Sequence, residues 1–393
     1  MKIKYIIYAA ILGFILSTSF VIFKLYKGNV FIWLPDYITN SPSFEKSSEL
    51  TDIIFVVVDH WEPGKSEEIV NQWMSGYRKL ADKHIDSDGK KLQHTWYYPL
   101  EQFRGYQVDS LVTLCNEGYG DVEVHLHHKN DNSESLKEKF INGIDSLQNH
   151  NALISPDGKT HFSFIHGNWS LDNSREGEYI DNDLCGVNNE ISILMELGCY
   201  ADFTFPAMGQ TAQPSLVNKI YYCKDDPDQP KSYDDGTISY VGYEQDHDEF
   251  MIFEGPYVID WSDWQFKTHP TFDDGNLYWE IETNLNRFEN WLKANVHVKG
   301  QPEWVFVRPF THGANLKNGG YDNILGENID EMLINIEKNY NDGINYRLHY
   351  MTAREAYNCV KAAEAGLDGN PNKYRNFVIK PYLYNQDSLK LED

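Results

Sequence analysis

The chain has 393 residues, enough for one large core or two modest ones, and its 41% hydrophobic and 14% aromatic content is that of a folded protein rich in rings. Fifty-nine acidic against 34 basic residues give a formal net charge of −25, which opposes a nucleic-acid backbone and sets nucleic-acid binding aside. The five cysteines (Cys115, Cys185, Cys199, Cys223, Cys359) are widely spaced, contain no C-x-x-C pair and total an odd number, so neither a zinc knuckle nor a full disulfide framework is indicated.

The chain opens on an uncharged run, YIIYAAILGFILSTSFVIF from Tyr5 to Phe23, between Lys2 and Lys4 on one side and Lys24 and Lys27 on the other. At about 1.5 Å per residue it nearly spans a ~30 Å hydrocarbon core. Ser17-Thr18-Ser19 offers a signal-peptide reading of residues 1–27, but the apolar run continues past it, which favours an uncleaved single-pass anchor. Lysines at both ends leave orientation open. An anchor followed by one large domain most simply leaves that domain outside the cytoplasm. Residues 28–50 mix apolar residues with Ser, Pro and Asn and read as a juxtamembrane linker.

From residue 51 to about 370 short β-rich runs alternate with helix-period runs, the pattern of βα units. IIFVVVDH (Ile53 to His60) is a strand covered on both faces, followed by a stripe of Ile69, Trp73, Tyr77 and Leu80. HTWYYP, DVEVHLHH, HFSFIHGNW and ADFTFP open the next four units. Residues 221–277 read as an irregular acidic insertion, from which YVIDW emerges as a strand. EWVFVRPF and YRLHYM complete the series. Thr352 and Glu355 form a capping box for a last helix closed by Gly366, and residues 371–393 read as a tail. Seven or eight such units without a Gly-rich phosphate loop predict an α/β fold, a deformed (β/α)7–8 barrel behind one transmembrane helix. Nothing in the chain specifies an oligomeric state.

Parallel barrels place active sites at the C-terminal ends of their strands. Those ends here carry Asp59 and His60, then His125, His127 and His128, then His166, Pro206, Asp260, Arg308 with His312, and His349. In DVEVHLHH, Val122, Val124 and Leu126 share one face while Glu123, His125 and His127 share the other. Two imidazoles two residues apart on one strand face, near a carboxylate from a neighbouring strand end, suit a divalent metal of the zinc type with an open position for water.

With these motifs the chain from Asp52 to about Gly366 resembles the polysaccharide deacetylase superfamily (carbohydrate esterase family 4), divergent in spacing. FVVVDH resembles its first motif, HLHH its second in role, FTFPA or Arg308-Pro309 its third, Asp260-Trp261 its fourth, and His349 or His312 its fifth. The resemblance implies a metal-dependent hydrolase that removes N- or O-acyl groups from a cell-surface polysaccharide or oligosaccharide. It implies Asp59 as catalytic base, His349 as the acid that protonates the leaving amine, and His60, His125 and His127 as metal ligands. It further implies His166, Trp169, Asp260, Trp261, Arg308 and His312 as the lining of the sugar-binding groove. His60 stands where the family has a metal-binding Asp, which changes the charge of the site.

The family's literal signature, TFDDG at Thr271 to Gly275, lacks the preceding apolar strand and the following histidine pair, and reads as a turn leading into a helix. Glycoside hydrolysis is the enzymatic alternative, with Asp59, Glu62, Glu123 and Asp202 as carboxylates, but it leaves the histidines unexplained. A catalytically inactive, membrane-tethered glycan-binding module is the other.

Overall fold

A computed structural model describes residues 2–40, 50–178, 183–265, 269–278, 281–314, 316 and 320–385. Two helices lead the chain, α1 (Lys2–Lys27) and α2 (Val30–Asn40). The domain follows as β1 (Thr51–Phe55), β2 (Val57–His60), α3 (Glu67–Ala81), β3 (His94–Pro99), α4 (Gly105–Asn116), β4 (Gly120–Leu126), α5 (Ser133–Asn149), β5 (Phe162–His166), α6 (Glu190–Glu196) and β6 (Cys199–Asp202). A β-rich stretch comes next: β7 (Ile220–Lys224), β8 (Thr237–Ile238), β9 (Glu249–Phe253), β10 (Val258–Gln265) and β11 (His269–Asp273). The chain ends with α7 (Leu285–Lys293), β12 (Trp304–Val307), β13 (Phe310–Thr311), α8 (Gly320–Ile324), α9 (Glu327–Asn339), β14 (Tyr346–Tyr350) and α10 (Ala353–Glu364).

The apolar run from Ile53 to His60 forms a strand interrupted at Val56, and every residue in it is buried. Its first half pairs in parallel with β12 and β14, its second half with β13 and β3. From β13 the larger sheet runs β13-β2-β3-β4-β5-β6-β9 with every pairing parallel, then turns antiparallel through β7 and β8. Single bridges continue from there, Tyr240 to Lys299 and Val296 to Phe306, so main-chain pairing returns to β12. The chain is thus a mixed α/β fold whose parallel strands all end on one side.

Capping fixes the helices that cover this sheet. Ser66 accepts from Ile69 N at 3.2 Å to start α3, and Thr352 with Glu355 closes the predicted capping box on α10. Gly366 takes the left-handed φ of 73° that a helix stop favours.

The structure redraws three of the predicted segments. The linker carries α2, whose Trp33 is 1% exposed and packs edge-on against Tyr37, Tyr257 and Phe272. The acidic stretch is no irregular insertion, because EFMIF within it is β9, a buried parallel strand of the main sheet. VIDW lies instead in the antiparallel hairpin β10–β11. The tail is part of the core up to residue 385: Tyr382 and Tyr384 are buried, their hydroxyls bonded to Glu123 (2.9 Å) and Asp121 (3.0 Å).

Candidate functional site

Alternation along β2 decides which of its two polar terminal residues reaches the histidines. His60 faces them, its ring 4.8 Å from that of His125, and it stacks on His312 at 4.5 Å. Asp59 faces the other way. It accepts from His94 Nε2 (2.9 Å) and from Gly313 N (2.6 Å), beside Trp73 of α3. Neighbours on a strand point to opposite faces, and here His60 turns to the histidine cluster while Asp59 is held by His94 and Gly313 N.

His125 and His127 meet at Glu62. Each presents Nε2 to Glu62 Oε1 at 3.0 Å. Their other nitrogens are committed: His125 Nδ1 lies 2.8 Å from the Ile165 carbonyl and His127 Nδ1 lies 2.7 Å from Glu101 Oε1. Each Nδ1 therefore carries the proton, and a neutral ring turns the Nε2 lone pair toward a carboxylate oxygen. A proton on each ring, or one cation shared by all three groups, relieves that repulsion. Imidazoles oriented through Nδ1 by a carbonyl and a carboxylate are the usual outer shell of a metal site, and two His with one carboxylate is a zinc-type donor set. The ligand atoms of Glu62, His125 and His127 lie within 4.8 Å of one another.

Electrostatics sort the surrounding groups. Burial, with the neighbouring imidazoles and Arg308, pushes His60 well below its ordinary pKa, and burial brings His312 down to about 4. Both rings are neutral at pH 7. Burial works against ionisation of Glu62, but the bond to His125 and the charges of His125 and His127 outweigh it and hold the carboxyl low. His312 Nδ1 is buried without a hydrogen-bond partner among the described residues.

Beside these rings lies a cavity of about 250 Å³ lined in part by Trp169, Pro206, Met208, Asp274, Tyr278 and His312. Trp169 has the left-handed φ of 52°, uncommon for a bulky side chain, and its indole stands 6.1 Å from both His60 and His312. Asp274 belongs to TFDDG. The hairpin's trailing residues pair with β13, Leu277 N donating to Phe310 O at 2.7 Å, and this carries Asp274 to the cavity wall. Burial, helped by the like charge of Asp273, raises its carboxyl to about 7. Asp273 itself is tied to Arg287 by two bonds of 2.8 and 2.9 Å.

A second group sits at the adjoining strand ends. His128, His166, Cys185 and Glu190 are fully enclosed, with ligand atoms within 4.8 Å of one another. His128 bridges Glu190 (2.9 Å) and Asp131 (3.1 Å). Burial opposes its charge, but the two carboxylates prevail and lift it to about 9, so a proton already balances the pair. His166 Nδ1 accepts from Asn168 N at 3.1 Å, which leaves the proton on Nε2.

Other predicted site residues lie elsewhere. Arg308 is 1% exposed and donates to the carbonyls of Phe203, Phe205 and Gly255 as a main-chain brace, outside the residues that line this cavity. Asp260 accepts from Ser262, and Trp261 is exposed on the outer hairpin. His349 bonds Asp52 and Asp88, both at 2.7 Å, and stands level with Ile54, six residues before His60. At about 3.3 Å per residue that is roughly 20 Å from the histidine cluster. Glu62, Glu101 and Asp274 complete the site without having been assigned to it from sequence; Glu62, two residues past His60, was the one within reach. A larger cavity, about 660 Å³, opens at the opposite strand ends, by His161, Gly198 and Glu249. Comparison with protein-family models and with curated proteins returns no match for this chain.

Proposed function

We propose that the chain is a metal-dependent hydrolase that removes acyl groups from a glycan, built on a deformed (β/α) barrel. The observation that carries this reading is the meeting of His125 Nε2 and His127 Nε2 on one oxygen of Glu62 with both Nδ1 atoms held. Bound there, a divalent ion such as zinc would polarise an acyl carbonyl and acidify a water. Glu62, His125 and His127 would hold it.

The remaining residues act on the substrate. Asp274, the one carboxyl among the described residues that line the cavity, can take a proton from water and return it to the leaving group. Neutral His60 and His312 can accept or donate hydrogen bonds without adding charge. Trp169 and Tyr278 offer ring faces for a sugar. The return of main-chain pairing to β12 supports the barrel reading.

The test is metal content of the purified full chain in detergent, followed by acetate release from an N-acetylated oligosaccharide. Stoichiometric zinc is expected, lost in Glu62→Ala, His125→Ala and His127→Ala together with acetate release. A metal-free native protein sinks the metal assignment, and reducing ends released without acetate turn the reading to glycoside hydrolysis.

A further inference from the structure

The membrane helix is not loosely tethered to the domain. Lys4–Lys27 is long and apolar enough to cross a bilayer; its most apolar stretch is not buried against the domain, and Leu25 near its end packs on the cluster around Trp33 and Tyr257. Its last turn carries Lys24 and Lys27, the side chains that mark a headgroup level. Two residues, Gly28 and Asn29, separate it from α2. Three Cα steps of about 3.8 Å put Lys27 at most about 11 Å from a helix that is already docked.

That docking is on the side where the parallel strands end. Trp33 packs against Tyr257 and Phe272, Asp36 pairs with Lys219 and accepts from Val217 N, and Ile259 N donates to Tyr37. These partners follow β6 and β9 or belong to the hairpin. Asn29 Nδ2 donates to the carbonyl of Gly209 at 2.8 Å, and Met208 and Gln210 on either side of Gly209 line the 250 Å³ cavity. The opposite face of α2 is apolar and exposed: Phe31 (48%), Pro35 and Ile38 (72%) fall at i, i+4 and i+7. A helix with one side on the domain and an apolar stripe on the other suits the plane of a membrane interface.

We propose that the cavity opens onto the membrane surface and that its substrate is a glycan carried by a membrane lipid; the chemistry rests on the hydrolase reading, the placement does not. A soluble polymer would have to enter between the domain and the headgroups. A saccharide on a lipid carrier is held at the height of the rim and confined to two dimensions, which raises its effective concentration there.

Two measurements on the full chain in phosphatidylcholine vesicles test this. The native cysteines are all buried, so Met208→Cys and Ile344→Cys can each be labelled with a fluorophore alone; Ile344 precedes β14, at the far strand ends, and is 79% exposed. Headgroup spin-labelled lipid should quench the label at 208 severalfold more than the label at 344. Equal quenching, or more at 344, overturns the placement whatever the enzyme does. Acyl release should then favour an N-acetylated saccharide on a lipid carrier over the same saccharide in water by about tenfold or more. A Gly/Ser insertion of about 20 residues between Lys27 and Gly28, spanning roughly 25 Å, should lower that ratio and leave the soluble rate unchanged. Equal rates on both substrates overturn the substrate class, and no release from either sinks the hydrolase reading while the quenching result stands.

Discussion

A carboxylate between two imidazoles is a common arrangement, and what sets Glu62 apart is that both rings reach one of its oxygens through Nε2 while each Nδ1 is already held. Asp274 is the matching feature in the cavity wall. With its carboxyl raised to about 7, a base role requires kcat/KM to climb as pH rises through about 7. Asp274→Asn should remove that limb and slow turnover by about 10²–10⁴-fold; a full limb in the variant would assign the titration to another group. His128 makes a prediction about stability. Its folded pKa, about 9, lies above the ordinary 6.5, so its contribution is complete below about 6.5 and lost as pH rises through about 9. Thermal unfolding followed from pH 6 to 10 should fall over that window in the parent and lose this component in His128→Gln.

At the level of elements, the residues past α10 act as a plug rather than a tail. Glu123 is buried, its carboxyl raised to about 8 by desolvation, and accepts from Tyr200 (2.6 Å), Tyr382 (2.9 Å) and Ser163 N (2.6 Å). Tyr382→Phe leaves that cluster one donor short and should cost about 1–3 kcal/mol in urea unfolding; an unchanged stability would place Tyr382 outside the cooperative core. Sequence showed the strands that are apolar throughout, because burial on both faces leaves a plain signal in Ile53–Val58 and Trp304–Val307. It hid β9 because EFMIF follows a dense run of acids that reads as loop. It hid α2 because an internal Pro35 breaks the helical pattern, and the compensating contacts come from Tyr257 and Phe272, more than 200 positions away.

Across the whole molecule, the part of the site delivered by strand ends was legible and the part delivered by loops was not. His125 and His127 share a strand face as the alternation in DVEVHLHH predicted, and the rings of His60 and His312 stand beside them. Adjacency misled at Asp59, which the two-residue period turns toward α3, and chain order misled at His349, which pairs with the wrong half of the interrupted first strand. Glu101 and Asp274 arrive through turns, where no period announces a direction. Arg308 has a consequence of another kind. It grips the carbonyls of residues 203, 205 and 255, groups that every amino acid possesses, so its hold is indifferent to which side chains stand there. Substitution at neighbours such as Ala207 and Met208 can therefore reshape what the cavity accepts while the frame around it keeps its dimensions, a scaffold on which specificity can drift without the fold being renegotiated.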